Sequence, residues 1–385
     1  MTQPFHPIWL VLPAMLLSGS CRQTEWSLAP EVKPLSDPEI TVITIVTGSD
    51  IIWGMDVLPD GDLIYGEKKG RIFRRSGDKI TELTGFPAVK FLGQGGLMDV
   101  RAHPDYAANG WLYATYCAET AARDSEVKLV RFKVKQDRIA QLEEIFSTGG
   151  GNTWNNHFGS RIVFDKQKFL YLGIGEGGSG SFGGPNATNR NSQDTRSNWG
   201  KVHRMRDNGD IPQDNPVLPG NSKPTTLYSY GHRNPQGLAM HPGTGEIWET
   251  EHGPRGGDEI NILAAGENYG WPTYSLGVNY NGVPVSDNHR APGIREPIHV
   301  WTPSIGVCGV AFIDSKAFGS WNGHFLATGL AGQKLYRYGI KDNKIASENV
   351  WMEKMGRFRN VIQGSDGAIY ISLEGPGRIL KVTAR

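Results

Sequence analysis

The amino-acid sequence predicts an all-β fold, and more narrowly a six-bladed β-propeller built of four-stranded antiparallel blades. Fifty glycines and an aromatic content of 10% in 385 residues favour many short strands joined by tight turns. One pattern recurs six times, at irregular spacings of roughly 45 to 80 residues: an apolar strand, a turn with Asp, Pro, Gly or Asn, and a second aliphatic and aromatic strand. No convincing amphipathic helix appears, and a β-sandwich would show more even strands without such a repeat.

Each copy of the repeat is expected to form the two inner strands of one blade. The copies are residues 54–65; 97–106 with 111–113; 161–165 with 169–172; 237–248; 309–313 with 324–327; and 360–370. Residues 70–73 and 378–382 are predicted to be outer strands. Residues 40–46 alternate like a strand, and we expect this N-terminal strand to complete the last blade and close the ring, because that blade would otherwise carry an exposed edge.

The N-terminal residues predict export. Residues 8–20 are almost entirely apolar or small, and this run is too short to cross a bilayer, so residues 1–20 are interpreted as an export signal to the periplasm. A buried N-terminal strand is disfavoured by Pro4, Pro7 and Pro13. Residues 21–39 carry prolines and scattered charges and are expected to be a tether, ahead of the propeller domain at residues 40–385.

Cys21 follows a Ser-Gly-Ser stretch that is typical of a lipoprotein cleavage site. Lipidation of Cys21 would attach the protein to a membrane. Leu17 lies one position too far upstream for such a site, and no Lys or Arg precedes the apolar run. Export with or without a lipid anchor therefore stays open at this point.

Charge and cysteine usage exclude several classes of function. The formal net charge is +1 and no basic stripe appears, which argues against nucleic-acid binding through phosphate neutralisation. Beyond Cys21 the chain has only Cys117 and Cys308, which are too far apart in sequence to suggest a disulfide framework. No CxxC pair indicates zinc, and both thiols are expected to be buried.

The segments 228–237 and 251–260 carry the strongest chemical signal. Their functional side chains lie among glycines and prolines: Arg233, Asn234, Glu251, Asp258 and Glu259. Glycine permits close approach of the backbone to a ligand, and proline presents main-chain carbonyls rigidly. Carboxylates, carbonyls and a guanidinium together suit an anionic cofactor that is bridged by a hard cation. Taken alone, the segments would favour the alternative of ordinary charged turns.

Four further residues lie beside copies of the repeat, where a propeller lines its central channel. Gln94, on a glycine-flanked loop, is a candidate hydrogen-bonding group, and His157 is a candidate proton acceptor near neutral pH. Arg357 and Arg359 alternate and would share one strand face, which suits a multiply anionic ligand. A plain turn glutamine, a surface histidine and a solvated strand face are the alternatives. The polar insertion 183–215 would either wall this site or lie on the surface.

These segments, in this order, resemble the soluble quinoprotein aldose sugar dehydrogenases, which bind pyrroloquinoline quinone (PQQ). The most specific matches are residues 230–237 (Tyr-Gly-His-Arg-Asn-Pro-Gln-Gly) and 251–261 (Glu-His-Gly-Pro-Arg-Gly-Gly-Asp-Glu-Ile-Asn). Shorter matches are residues 93–100, 157–161, 173–176, 209–216 and 268–272. The similarity extends from residue 40 to 382, and the six-bladed propeller of that family agrees with the repeat count.

The resemblance implies an oxidoreductase that oxidises the anomeric carbon of an aldose to a lactone, by hydride transfer to calcium-bound PQQ. His157 matches the general base of the family, and Arg233 can stabilise negative charge as the hydride arrives. The positions that match cofactor contacts are Gln94, Arg233, Asn234, Arg357 and Arg359. Those that match calcium ligands are the carbonyls of Gly253 and Pro254, for the ion that bridges PQQ, and Glu259 and Tyr269, for a second, structural ion. The implied partners are the aldose and an external electron acceptor.

Two departures from the family pattern bear on the cofactor. Some members place a lysine against PQQ in the loop of the fifth blade, where this chain has Ala331 and its nearest lysine is Lys334. Glu176 stands where several relatives have Asp, which puts the carboxylate one methylene further from the main chain.

Two other functions fit a propeller with a channel histidine. A calcium-dependent propeller lactonase would not need Arg357 and Arg359, nor the motif at residues 230–237. A non-catalytic propeller that serves as a binding module would be indicated by loss of His157 or of the paired arginines, and all three residues are present.

Overall fold

Six separate four-stranded antiparallel sheets make up this computed structural model, which confirms the predicted six-bladed β-propeller. The structure describes residues 37–178, 182–287 and 291–384. The predicted export signal, Cys21 and nearly all of the predicted tether lie outside those residues. Within the three described ranges, no helix has the length and apolarity that crossing a bilayer requires.

The strands follow the chain blade by blade, after β1 (Ile40–Ser49), which pairs with the last blade. Blade one contains β2 (Ile52–Val57), β3 (Leu63–Glu67), β4 (Arg71–Ser76) and β5 (Lys79–Leu83). Blade two contains β6 (Leu97–Ala102), the short helix α1 (Tyr106–Asn109), β7 (Leu112–Glu119), β8 (Ser125–Lys135) and β9 (Arg138–Ser147). Blade three contains β10 (Ile162–Phe164), β11 (Leu170–Ile174), β12 (Lys201–Met205) and β13 (Leu227–Tyr230).

The second half of the ring repeats the arrangement. Blade four contains β14 (Pro235–Met240), β15 (Ile247–Glu251), β16 (Asp258–Ile262) and β17 (His299–Trp301). Blade five contains β18 (Val307–Phe312), a 3₁₀ segment (Lys316–Trp321), β19 (Phe325–Gly329), β20 (Lys334–Lys341) and β21 (Lys344–Glu353). Blade six contains β22 (Arg357–Gln363), β23 (Ile369–Glu374), β24 (Gly377–Ala384) and, outermost, β1.

Every copy of the sequence repeat forms the two innermost strands of a blade, as predicted. In blade one, for example, the turn between β2 and β3 is closed by hydrogen bonds from the N–H of Leu58 to the carbonyl of Asp62 at 2.8 Å and from the N–H of Gly61 to the carbonyl of Leu58 at 2.9 Å. Gly61 has a φ of 88°, a conformation that glycine adopts without steric cost. The predicted outer strand 378–382 falls within β24, and the predicted outer strand 70–73 begins one residue before β4.

The ring closes as the alternation of residues 40–46 predicts. β1 pairs antiparallel with β24, so that Ile40 lies opposite Ala384 and Val42 lies opposite Val382. Val46 on β1 is buried in the apolar core shared with blades one and six. The pairing covers the hydrogen-bonding edge that the last blade would otherwise expose.

A small residue stands at the fourth position of the second strand in every blade. These residues are Gly66, Thr115, Gly173, Thr250, Thr328 and Ser372. Each of the four hydroxyls donates to a main-chain carbonyl at the start of the next blade: Thr115 to Ser160 at 2.8 Å, Thr250 to Cys308 at 3.1 Å, Ser372 to Ile52 at 2.9 Å and Thr328 to Arg359 at 3.5 Å. At the two glycines, a Cβ would lie within 2.9 Å of the next blade.

A buried ion pair joins the blades near the channel axis. Nη1 of Arg161 lies 3.0 Å from Oδ1 of Asp99, and Nε of Arg161 donates to the carbonyl of Gln236 at 3.0 Å. The guanidinium also stacks on Trp53, 4.0 Å from the ring centroid. Because these residues precede or begin the innermost strands of blades one to four, a single arginine connects four blades.

We expect Arg161→Met to destabilise the fold by about 3–5 kcal/mol, because it leaves the Asp99 carboxylate buried without its counter-charge. The measurement is the shift in the urea unfolding midpoint relative to the wild-type protein. Arg196→Met is the matched control, since the Arg196 side chain is 80% exposed and pairs only with Asp194. A midpoint for Arg161→Met equal to that of the control would contradict the structural role of the pair.

Candidate active site

The predicted site residues converge at one mouth of the central channel. In five blades the pairing between the two innermost strands shifts register near the start of the first strand, as it does between Leu97 and Val100 and between Phe358 and Asn360. Such bulges redirect side chains and are frequent next to active sites. Gln94, Arg357 and Arg359 border one cavity of about 180 Å³ at this mouth, and its other lining residues include Trp53, Gln236 and His252. A wider cavity of about 410 Å³ lies at the far ends of the innermost strands and is lined by none of the predicted residues.

His157 is buried, with 6% of its surface exposed, so it is not a surface histidine. Its backbone is left-handed (φ 49°), and its N–H donates to Oε1 of Gln94 at 3.0 Å. Its ring Nδ1 lies 2.9 Å from Oε1 of Glu176, and the indole N–H of Trp271 donates to Oε2 of Glu176 at 2.5 Å. Nε2 of His157 has no hydrogen-bond partner in the described part of the chain.

The electrostatic surroundings keep this imidazole neutral. Burial and the positive charge of Arg233 lower the pKa of His157 below the usual 6.5, while the hydrogen bond and negative charge of Glu176 oppose that shift. At pH 7 the ring is therefore unprotonated. With Nδ1–H donated to the Glu176 carboxylate, the lone pair resides on Nε2.

Arg233 is buried beside the His157–Glu176 pair. Its Nη1 donates to the carbonyls of His252 at 3.1 Å and Gly253 at 2.7 Å, and its guanidinium lies 5.0 Å from the ring centroid of Trp271. Nε and Nη2 of Arg233 are buried and have no acceptor among the described residues. Two buried guanidinium donors without acceptors indicate a place for an anionic or carbonyl-bearing ligand.

Asn234 positions the loops around His157. The residue is fully buried, and its Oδ1 accepts hydrogen bonds from the N–H of Gly159 and from Nε2 of Gln236, each at 3.1 Å. Its Nδ2 lies 3.3 Å from Nδ1 of the His252 ring. The side chain therefore connects the His157 loop to the segment that was predicted to hold the cofactor.

Arg357 and Arg359 do share one face, and they share a partner that no local sequence pattern indicates. Nε of Arg357 donates to Oε2 of Glu374 at 3.0 Å, and Nε of Arg359 donates to Oε1 of the same carboxylate at 2.5 Å. Glu374 lies on the neighbouring strand β23, directly opposite Arg357. The carboxylate neutralises one of the two positive charges, which sequence reasoning had left uncompensated.

The residues predicted to bind calcium through their carbonyls lie in a constrained loop. The N–H of Gly253 donates to Oδ1 of Asp258 at 3.0 Å, and Oδ2 of Asp258 accepts from the N–H of Val307. A Cβ at position 253 would lie 2.1 Å from the carbonyl of Gly257, so glycine is required there. The carbonyl of Pro254 accepts from Oγ of Ser304 at 3.3 Å. Each carbonyl retains a second lone pair for a cation.

Glu259 and Tyr269 border a second, smaller cavity together with Glu251. The Tyr269 hydroxyl is already engaged, because it donates to the carbonyl of Ile262 at 2.8 Å and accepts from the N–H of Ala264 at 3.0 Å. Only the main-chain carbonyl of Tyr269 therefore remains as a cation ligand.

Sequence reasoning singled out Glu251 and Glu259 but missed Glu249, and with it the carboxylate cluster next to this cavity. Nδ2 of Asn261 lies 3.1 Å from Glu249, 3.5 Å from Glu251 and 3.4 Å from Glu259, all of which are buried. Burial and mutual repulsion raise the pKa values of Glu249 and Glu259 well above their usual range. Glu249 and Glu251 alternate on β15, and Glu259 and Asn261 alternate on β16, so the side chains of each pair point to one face of the sheet. This alternation could have revealed the cluster from the sequence.

Residues 183–200 of the predicted polar insertion wall the site, whereas residues 201–205 form β12 of blade three. Nδ2 atoms of Asn189 and Asn191 donate to the main-chain carbonyl of Glu176 at 2.9 Å and 3.2 Å. Nζ of Lys201 donates to the carbonyls of Asn191 at 2.6 Å and of Trp199 at 2.7 Å, and burial lowers the pKa of Lys201 to about 7. The insertion therefore packs behind the carboxylate that orients His157.

The profile of the family described as Glucose / Sorbosone dehydrogenase matches residues 49–381. The chain belongs to this family. Among relatives of described activity, the Aldose sugar dehydrogenase YliI of Escherichia coli (strain K12) is 33% identical over 342 residues, which cover 86% of this chain and 90% of that relative. A member of the family that is similar to this chain is therefore an aldose sugar dehydrogenase.

Solved structures of the family share the propeller. A crystal structure of a glucose dehydrogenase matches with a TM-score of 0.83 at 34% identity, covering 90% of this chain and 100% of that chain. The PQQ-bound form of Aldose Sugar Dehydrogenase from Streptomyces coelicolor matches with a TM-score of 0.71 at 28% identity, covering 91% and 100%. The family resemblance inferred from the central motifs is confirmed.

We expect Glu176→Gln to lower the pKa of the His157 ring further, because the variant removes the carboxylate that favours the imidazolium. Arg233→Met should raise that pKa, since it removes a nearby positive charge. The measurement is an NMR titration of ¹³C-labelled histidine rings. Glu82→Gln, at an exposed position of β5, is the control and should leave the His157 pKa unchanged. Identical titration curves in all four proteins would refute the electrostatic assignment.

Proposed function

We propose that the protein oxidises the anomeric carbon of aldose sugars to lactones, with calcium-bound PQQ as the hydride acceptor and His157 as the general base. The observation that carries the proposal is the buried His157–Glu176 pair, whose unpartnered Nε2 lies in the same site as the acceptor-free guanidinium atoms of Arg233. A neutral imidazole can accept the hydroxyl proton when an alcohol is oxidised to a carbonyl. An unpaired guanidinium can stabilise the negative charge that develops when the cofactor accepts the hydride.

The residues present fit PQQ, which carries three carboxylates and an ortho-quinone. Nε and Nη2 of Arg233 and Nε2 of His252 are buried and have no hydrogen-bond partner within the described ranges. Arg233 and Asn234 would hold the quinone side, while Gln94, Arg357 and Arg359 would hold carboxylates. Bidentate guanidinium–carboxylate pairing makes arginine the appropriate residue for that role. When bound, PQQ supplies the two-electron acceptor, and an external electron acceptor would then have to reoxidise it.

The carbonyls of Gly253 and Pro254 fit calcium, a hard cation that prefers oxygen ligands. We assign them to an ion beside the cofactor, where it would act as a Lewis acid. A second ion would contact Glu259 and the main-chain carbonyl of Tyr269. The raised pKa of Glu259, caused by burial and by Glu251, indicates excess buried negative charge that such a cation would neutralise.

In this proposal three side chains of the protein act together on the sugar. Nε2 of His157 removes the proton from the C1 hydroxyl, while Glu176 fixes the ring tautomer and stabilises the imidazolium that forms. Arg233 would stabilise the negative charge that the hydride acceptor gains, while C1 becomes the lactone carbonyl. Trp271 holds the second oxygen of Glu176 and packs under Arg233, so that base and cation keep one geometry.

Export to the periplasm, with or without a lipid anchor at Cys21, remains part of this proposal. It depends on residues 1–39, of which the structure describes only the last three.

The decisive experiment adds PQQ and calcium to the purified apoprotein and follows aldose-dependent reduction of a dye. We expect a bound-cofactor absorbance spectrum and dye reduction with glucose or another aldose. The absence of both the spectrum and any reduction, across a panel of mono- and disaccharides, would overturn the proposed function. Retained hydrolysis of a lactone in the same preparation would instead favour the lactonase alternative.

We expect His157→Ala to lower kcat by at least about 100-fold, because general-base catalysis contributes that much or more. PQQ binding should change little, since the proposed cofactor contacts come from other side chains. His241→Ala, on the opposite side of blade four, is the control and should keep its turnover. A His157→Ala protein that binds PQQ and keeps full turnover would contradict the role of the base.

The pH profile of kcat/KM provides an independent check. His157 must be neutral to accept a proton, and activity is therefore lost as the pH falls through its pKa. Because burial and Arg233 lower that pKa, we expect activity to decline only below pH 6.5, the usual value for histidine. Loss of activity already above pH 7 would point to a different base.

We expect calcium to raise the melting temperature of the apoprotein and a chelator to lower it, because a bound cation neutralises buried carboxylates. Glu259→Gln should reduce the calcium-dependent part of this shift. Glu82→Gln, which alters an exposed carboxylate, should retain it in full. Scanning calorimetry with and without calcium distinguishes the variants, and an equal calcium shift in both would remove Glu259 from the ligand set.

A further inference from the structure

The cavity next to Arg357 and Arg359 carries less positive charge than these two arginines alone would give it. Arg357 and Arg359 contribute two positive charges, and Glu374 contacts both at 3.0 Å and 2.5 Å. The three groups together therefore carry a net charge of +1. A ligand with three carboxylates needs a further cation on this side of the cavity, because burying an unpaired carboxylate is costly.

Blade five does not supply that cation. Leu330 lines the cavity at the end of β19, and the next residue, Ala331, is exposed. Lys334 lies on β20, where its main chain pairs with Gly329. The side of the cavity formed by blade five is therefore apolar.

Lys68 of blade one lines the same cavity, together with Gln94 and Arg359. It follows β3 directly, and its main chain is held on both sides: its N–H donates to the carbonyl of Ile51 and its carbonyl accepts from the N–H of Leu97, each at 2.8 Å. The backbone thus directs the Lys68 side chain across the channel mouth.

The ammonium group of Lys68 has no carboxylate partner within the described ranges of the chain. Its Nζ donates to the carbonyl of Gly93 at 3.3 Å and lies 5.7 Å from the ring centroid of Phe91, and neither contact supplies a negative charge. Burial and the neighbouring Arg359 lower the pKa of Lys68, so the positive charge is held there at an energetic cost. An anion in the cavity would remove that cost. The adjacent Lys69 differs, because it is 59% exposed and pairs with Asp50.

We propose that Lys68 is the third cation of the cofactor cavity and binds a carboxylate of PQQ. It would replace the lysine that some family members carry in the loop of the fifth blade, where this chain has Ala331. This inference rests on the proposed function. Lys68 is a binding residue and takes no part in proton or hydride transfer.

The test is equilibrium binding of PQQ to the calcium-loaded apoprotein, measured by isothermal titration calorimetry without any sugar. Lys68→Met keeps most of the side-chain volume and should weaken PQQ binding about ten- to one-hundred-fold, as loss of a charge-assisted hydrogen bond does. Lys69→Met is the matched control and should bind as the wild-type protein does. Lys68→Met/Ala331→Lys should recover much of the lost affinity, because it returns a cation to the cavity from blade five.

The outcomes separate this inference from the proposed function. Wild-type protein that does not bind PQQ overturns both. If the wild-type protein binds PQQ and a folded Lys68→Met protein binds it with the same affinity, the role of Lys68 is overturned and the proposed function is not. If Lys68→Met does not fold, PQQ affinity is measured for Lys68→Gln and for the single variant Ala331→Lys. Unchanged affinity in both variants overturns the inference. Weaker binding by Lys68→Gln together with tighter binding by Ala331→Lys supports it.

Discussion

Close contact between neighbouring blades is the constraint on which the rest of this propeller depends. The six sheets are separate, so no continuous hydrogen-bond ladder holds one blade to the next. Small residues at one position of each second strand join the blades instead. Thr115, Thr250, Thr328 and Ser372 reach carbonyls of the following blade, and two glycines allow direct packing. A larger side chain at any of these positions would widen the ring, and the angle between blades would change with it.

The geometry of the candidate site depends on this contact between blades. Its residues come from loops that enter the innermost strands of different blades, so their distances depend on the spacing between blades. Arg161 and Asp99 fix the axis beneath the mouth, while Asn234 and Gln236 connect the His157 loop to blade four. Buried polar groups of this kind are costly unless they are satisfied, and here nearly all of them are. Among the described residues the exceptions include Nε and Nη2 of Arg233 and Nε2 of His252, where a ligand would complete them, and also Nη2 of Arg161.

Much of the fold could be predicted from the sequence, because each blade repeats one local pattern with its own turn residues. The repeat located all twelve inner strands, and the alternation of residues 40–46 located the closing strand. His157, Gln94 and the arginine pair were found because glycine-flanked polar residues beside a strand are local signals. Contacts between distant segments were not predictable: Glu374 lies across a strand from Arg357, and Trp271 reaches Glu176 from 95 residues away. Lys68 was missed because a lysine after a strand is usually an ordinary surface residue.

Ring closure has a consequence for the order of folding. The pairing of Ile40 with Ala384 closes a loop of nearly the whole propeller. Loop-closure entropy grows only logarithmically with length, so this costs little more free energy than a much shorter loop. Contacts between such distant residues nevertheless form slowly, because the intervening chain must be ordered first. Blade six carries Arg357 and Arg359 and blade one carries Lys68, so the two halves of the cavity meet only when the ring closes. A nascent chain therefore cannot form this cavity until its final strand is made.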